Sequence, residues 1–188
     1  MLINLHFGAS PSPAAGGGPV AARLRECHER IRRFCAMAVR LAGAAPAVKP
    51  AEVVDAARQL QRYFATALPL HVADEDGTVL PRLLAADAGP EVREALERME
   101  REHRDIDAAL PALLDAWDAL QHEPAQLAAR ARTLLAASVR LEEALLAHLE
   151  LEERVILPAL DAQVPLAEQA PMVEEMKARR ALAPAGGA

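Results

Sequence analysis

One eleven-residue pattern occurs twice in this chain. HVADEDGTVLP runs from His71 to Pro81 and HLELEERVILP from His148 to Pro158; both read His, three residues, Glu, four residues, Leu-Pro. A residue and its neighbour four positions on share one helix face. Each copy therefore aims an imidazole and a carboxylate at one point, provided both lie on helices. The flanking periodicity says that they do. Leu127, Ala131, Leu134, Ser138, Leu141, Leu145, His148, Glu152 and Val155 alternate steps of four and three, as do Val53, Ala57, Leu60, Phe64, Ala67, His71 and Glu75. These are inward-facing stripes, and both turn from hydrocarbon to imidazole and carboxylate at the same relative place.

Composition supports helices throughout. Of 188 residues, 52% are hydrophobic but only 3% aromatic, with Ala and Leu dominant. Such side chains lose little freedom in a helical turn. No Val/Ile/Thr-rich alternation argues for strands. Helices are expected from Pro19 to about Leu41, from Pro50 to about Leu80 with an irregularity at Pro69, from Glu91 to Leu120, and from Ala125 to Leu157, where Pro158 should stop the last. A shorter helix is expected over 166–182. Pro-, Gly- and Ser-rich residues 1–18 read as an N-terminal arm, 19–160 as the helical domain and 161–188 as a C-terminal extension.

The duplication extends to the preceding helices. His28 opens HERI and His103 opens HRDI; His28 precedes His71 by 43 residues and His103 precedes His148 by 45. The chain thus reads as two helical hairpins, each supplying one His from its first helix and a His-x-x-x-Glu from its second. Long helices with short connections predict an all-α, up-down-up-down antiparallel four-helix bundle with a short additional C-terminal helix. At 1.5 Å per residue the four histidines fall in one slab about 14–20 Å from one end.

Burying four imidazoles and two carboxylates among Ala and Leu is costly without a compensating charge. One or two cations would supply it. Imidazole with carboxylate suits iron, with zinc the lesser choice, and the lack of thiolate donors argues against a structural Cys-type zinc site. Four donors satisfy one zinc, so six exceed it. Two six-coordinate irons, with both carboxylates spanning them and an oxo or hydroxo bridge, would use all six and leave about two positions for O2, peroxide, NO or water.

Four His and two His-x-x-x-Glu units in this order resemble the hemerythrin family, specifically the bacterial HHE cation-binding domain. HVADEDGTVLP, MEREHRDI and HLELEERVILP carry the resemblance, which covers roughly residues 20–160. It implies a non-haem di-iron site with Glu75 and Glu152 as bridges and His28, His71, His103 and His148 as terminal ligands. Oxygen-carrying hemerythrins place another His four residues before the helix-three His; here that position is Met99, a soft and weak partner for ferric iron. One imidazole fewer leaves a more open iron, better suited to activating peroxide or reducing a small molecule than to carrying O2. The expected function is handling of O2, peroxide or NO at this site, including catalase-like peroxide decomposition. The alternatives are an oxygen, redox or iron sensor without turnover, reversible oxygen binding or storage, and a structural bundle with adventitious zinc.

The remaining features are plainer. A formal charge of -6 from 21 basic and 27 acidic residues provides no footprint for nucleic acid. No apolar run approaches the roughly 20 residues that cross a bilayer. Cys27 and Cys35, about 12 Å apart along one helix, cannot pair and read as reduced core thiols of a cytoplasmic protein. Met99 has core spacing with His103 and Ile106. Asp74, Asp76, Glu150 and Glu153 read as solvated carboxylates or as hydrogen-bond partners of the ligating histidines, with nothing in the pattern to choose among them. His6 and His122 read as surface residues, Tyr63 as too far along its helix to ligate, and Gly77 as a bend or an opening for small ligands.

Overall fold

The computed structural model describes residues 17–45 and 47–182. Nearly all of the expected N-terminal arm, His6 included, and the tail beyond Leu182 lie outside them. Every regular element among the described residues is helical: α1 (Pro19–Gly43), α2 (Pro50–Arg62), α3 (Leu68–Asp74), α4 (Leu80–Ala85), α5 (Pro90–His122), α6 (Gln126–Leu151), α7 (Leu157–Gln163) and α8 (Leu166–Leu182). Proline opens α1, α2 and α5, at a position where its missing N–H costs nothing. Gly18 ends the arm on the body of the protein, its N–H donating to Asp161 Oδ1 at 2.8 Å.

Three of these helices run on into the next through single π-helical turns: Tyr63–Ala67 joins α2 to α3, Glu75–Val79 joins α3 to α4, and Glu152–Ile156 joins α6 to α7. The local cause is proline. Pro69, Pro81 and Pro158 each stand two residues past the end of a turn. A proline ring clashes with the carbonyl four residues back, and the ladder widens there. The residue before each proline bonds five residues back instead: Leu68 to Tyr63 O, Leu80 to Glu75 O and Leu157 to Glu152 O. Pro158 therefore does not end its helix, contrary to the sequence expectation; the helical path continues to Gln163. Pro81 likewise lets the second long helix run on to Ala85. Pro111, inside α5, has no such turn.

The π turns shift the inward stripe by one residue. Alternation predicts Ala67 and Val155 on the buried face, but Leu68 and Ile156 occupy it, 2% and 1% exposed. Two imidazole–carboxylate pairs sit where this slip occurs, since Glu75 and Glu152 are the first residues of their π turns.

Helix α1 packs along α6 and α2, and α5 along α2 and α6. The interior divides into two apolar layers. One contains Ile31, Leu41, Leu60, Phe64, Ile106, Trp117, Leu141 and Leu145. The other contains Leu24, Val79, Leu83, Met99, Ile156, Leu160, Met172 and Met176. On every long helix the predicted ligands lie between them: His28 between Leu24 and Ile31, His103 between Met99 and Ile106. Phe64 stacks on Trp117 with centroids 5.2 Å apart, and both are fully buried. Trp117→Ala should lower unfolding stability by about 3–5 kcal/mol, measured by chemical denaturation of the metal-free protein, with metal stoichiometry unchanged.

Candidate metal centre

The structure brings together all six residues that the duplicated pattern singles out. Two groups of donor atoms form, each with its members within 4.8 Å of one another: His28, His71, Glu75 and Glu152, and Glu75, His103, His148 and Glu152. Both carboxylates belong to both groups. Glu75 turns Oε1 toward His71 Nε2 (3.1 Å) and Oε2 toward His103 Nε2 (3.3 Å). Glu152 turns Oε1 toward His148 Nε2 (2.8 Å) and Oε2 toward His28 Nε2 (3.0 Å). Each carboxylate thus spans from one histidine pair to the other, and none of the six is more than 6% exposed.

Close approach here is not hydrogen bonding. His28 Nε2, His71 Nε2 and all four oxygens of Glu75 and Glu152 are buried without a hydrogen-bond partner, although nitrogens and oxygens lie 2.8–3.3 Å apart. These atoms converge on shared centres instead of pointing at one another. Buried and unpaired, such groups would each cost at least about 1–3 kcal/mol. A multivalent cation at each centre satisfies them together, so the residues present fit a pair of metal ions.

The outer nitrogens reinforce this orientation. The Nδ1–H of His28 donates to Glu153 Oε1 at 2.8 Å, that of His103 to Asp76 Oδ1 at 3.0 Å, and that of His148 to Glu102 Oε2 at 3.0 Å. An imidazole that donates from Nδ1 and stays neutral presents a lone pair at Nε2. His103 and His148 then face one another through Nε2 atoms 3.2 Å apart, where two lone pairs repel unless a proton or a cation lies between. Arg32 steadies Glu153 at 2.8 Å and Arg98 steadies Glu102 at 2.7 Å. His71 differs, because its Nδ1 is buried and unpaired.

The proton affinities record the same strain. Burial pushes the His71 imidazole down to about 3, into the neutral form that ligates a metal. Burial, then the facing Glu152 carboxylate, push Glu75 well above the ordinary carboxylate range. For Glu152, burial is outweighed by His148 and His28, which hold it well below that range. Burial draws His148 down, yet Glu152 and Glu102 together hold it at about 10. The two carboxylates are thus driven in opposite directions by burial and by the histidines that face Glu152.

Of the four carboxylates that the sequence left open, Asp76 bonds His103 and Glu153 bonds His28. Glu150 is exposed beside Arg154. Asp74 is buried and pairs with Arg179 and Arg180 of α8. Sequence reasoning missed Glu102: it precedes His103 but serves His148 on another helix, and no spacing rule reports such a contact. Met99 is fully buried in the second apolar layer. His122 is exposed. Tyr63 stacks on Phe34 with centroids 3.8 Å apart. Cys27 and Cys35 are buried and unpaired; burial pushes the Cys35 thiol up to about 12, while Arg30 donates to Cys27 Sγ at 3.2 Å.

A cleft of about 560 Å³ reaches this centre from the side. Leu68, Val72, Ile106 and Leu110 give it apolar walls, and Asp76, Gly77, His103 and Arg179 also line it. The centre is therefore dry on two sides and approachable on a third.

The family model for the hemerythrin HHE cation-binding domain matches residues 20–160. No curated protein matches the chain. The outer carboxylates provide a test of the ligand assignment that spares the six donors. Glu102→Ala and Glu153→Ala should each weaken metal binding by roughly 10–100-fold, whereas Glu150→Ala should leave it unchanged, as read by competition with a chromophoric chelator.

Proposed function

This chain belongs to the hemerythrin HHE cation-binding family, and from that premise we propose that it holds two non-haem iron ions and uses them to handle O2, peroxide or NO. The sharing of Glu75 and Glu152 between two histidine pairs carries this reading. His28 and His71 would hold one ion and His103 and His148 the other, with both carboxylates common to the two. The donor set is imidazole and carboxylate without thiolate, which suits iron better than a structural zinc. The expected up-down-up-down arrangement of residues 19–160 agrees with the short connections and with the packing of α1 on α6 and α5 on α2.

The ions would supply a change of oxidation state to a bound small molecule. The chain's own residues do the rest. The two apolar layers keep bulk water from the centre. Asp76, Glu102 and Glu153 hold three imidazoles with Nε2 inward. The cleft beside His103 admits a ligand to one side.

Met99 favours peroxide decomposition over carriage. It occupies the place of a further histidine in oxygen-carrying members, and its burial among Leu24, Val79 and Ile156 is that of a packing residue. A sensor is the second reading, favoured by the ion pairs that tie α8 to the helix carrying His71 and Glu75. We place the protein in the cytoplasm, with small diatomic ligands or peroxide as partners and neither nucleic acid nor a membrane among them; its buried unpaired thiols fit that setting. Among the described residues no helix is long and apolar enough to cross a membrane.

Metal analysis with an optical spectrum tests the class. About two irons per chain with near-ultraviolet charge-transfer bands are expected, lost together in Glu75→Ala or Glu152→Ala; a colourless protein holding only zinc overturns the reading. Oxygen evolution from peroxide, slowed by about tenfold in Met99→His, is expected of the enzyme. Reversible ligand binding without turnover is expected of the sensor.

A further inference from the structure

Helix α8 lies beyond the matched residues 20–160, yet it grips the segment that carries His71 and Glu75. Asp74, between those two ligands, is fully buried. Arg179 donates to its Oδ1, and Arg180 sits beside Oδ2 out of hydrogen-bond alignment. Arg179 also donates to Thr78 Oγ1 at 3.1 Å. The Thr78 hydroxyl in turn donates to Glu175 at 3.2 Å, and Glu175 pairs with Arg82. Met172 and Met176 are fully buried in the second apolar layer. The contacts converge on the π turn that begins at Glu75.

The same Arg179 lines the cleft together with His103. Its guanidinium lies flush on the π turn: a Cβ added at Gly77 would come within 3.1 Å of Arg179 Nη2. Where the cleft passes the turn, the guanidinium occupies the space that a side chain at position 77 would fill. Arg179 and Arg180 are themselves only about one-quarter exposed, with side-chain values of 26%.

We propose that α8 is a latch on the cleft: docked, it restricts entry to the His103 side of the centre through Arg179; released, it opens that side and loosens the Glu75 turn. The closed state is favoured because undocking would leave the Asp74 carboxylate without its guanidinium partners. The link to metal chemistry rests on the di-iron reading, but the latch itself does not. Entry can be measured on the metal-free full-length chain by carbethoxylation of histidines with diethyl pyrocarbonate, followed by peptide mass spectrometry. His122, exposed at the end of α5, serves as the internal reference.

In Arg179→Ala we expect His103 to be modified on the order of tenfold faster, with His28 and His122 unchanged, and amide exchange across 75–80 to accelerate similarly. Arg179→Lys keeps a positive charge near Asp74 and loses the planar fork; it should accelerate His103 less, and it decides the matter if the alanine variant does not fold. An unchanged His103 rate overturns the latch. So does acceleration of all four buried histidines together, which marks general unfolding. Iron content measured on the same preparations separates the two ideas: parental iron with an unchanged His103 rate removes the latch alone, and a faster His103 in a protein that takes up no iron removes the di-iron reading alone.

Discussion

Six donor side chains buried between two layers of hydrocarbon, with few hydrogen bonds among themselves, set the terms for this molecule. An apolar bundle gains nothing by enclosing them. Six of their eight inner atoms lack partners, His103 and His148 Nε2 meeting only each other, while three of the four outer imidazole nitrogens are bonded to carboxylates. That asymmetry distinguishes the arrangement from a buried polar network, in which bonds would close among the members. Two shared centres, each able to hold a cation, would resolve the conflict, and the helices around them present the donors together.

The backbone contributes through its irregularities. Each His-x-x-x-Glu ends where the α ladder gives way to a π turn, and a proline just beyond the turn accounts for the slip. The extra residue rotates the next stretch of helix, so the apolar face resumes at Ile156 instead of Val155. A helix can thus present a ligand pair and then return its hydrophobic side to a differently placed neighbour without a loop, at a cost in ladder geometry only. Single π turns at functional positions are a recurrent use of this freedom.

Much of this was legible in residue spacing. The i, i+4 pairs, the 43- and 45-residue separations and the stripes depend on helix geometry alone, and helix geometry is regular. The six donors could therefore be named from the chain, and the structure brings them together. Less was legible where geometry stopped being regular or where contacts crossed between helices. Pro158 reads as a stop because proline usually is one; a ladder that widens to accept it leaves no mark in composition. Glu102 could not be assigned to His148 because the pairing depends on how two helices are rotated. Asp74 could not be told from the other carboxylates, solvated or bonded to a histidine, because its arginines come from a helix more than a hundred residues away.

The two carboxylates common to both histidine pairs have one further effect. Glu75 and Glu152 each offer one oxygen to either donor group, so whatever fixes these two side chains for one centre also sets the oxygens offered to the other. The two centres are therefore not separable by substitution: a change at either carboxylate alters both, whereas a change at one histidine alters its own side first.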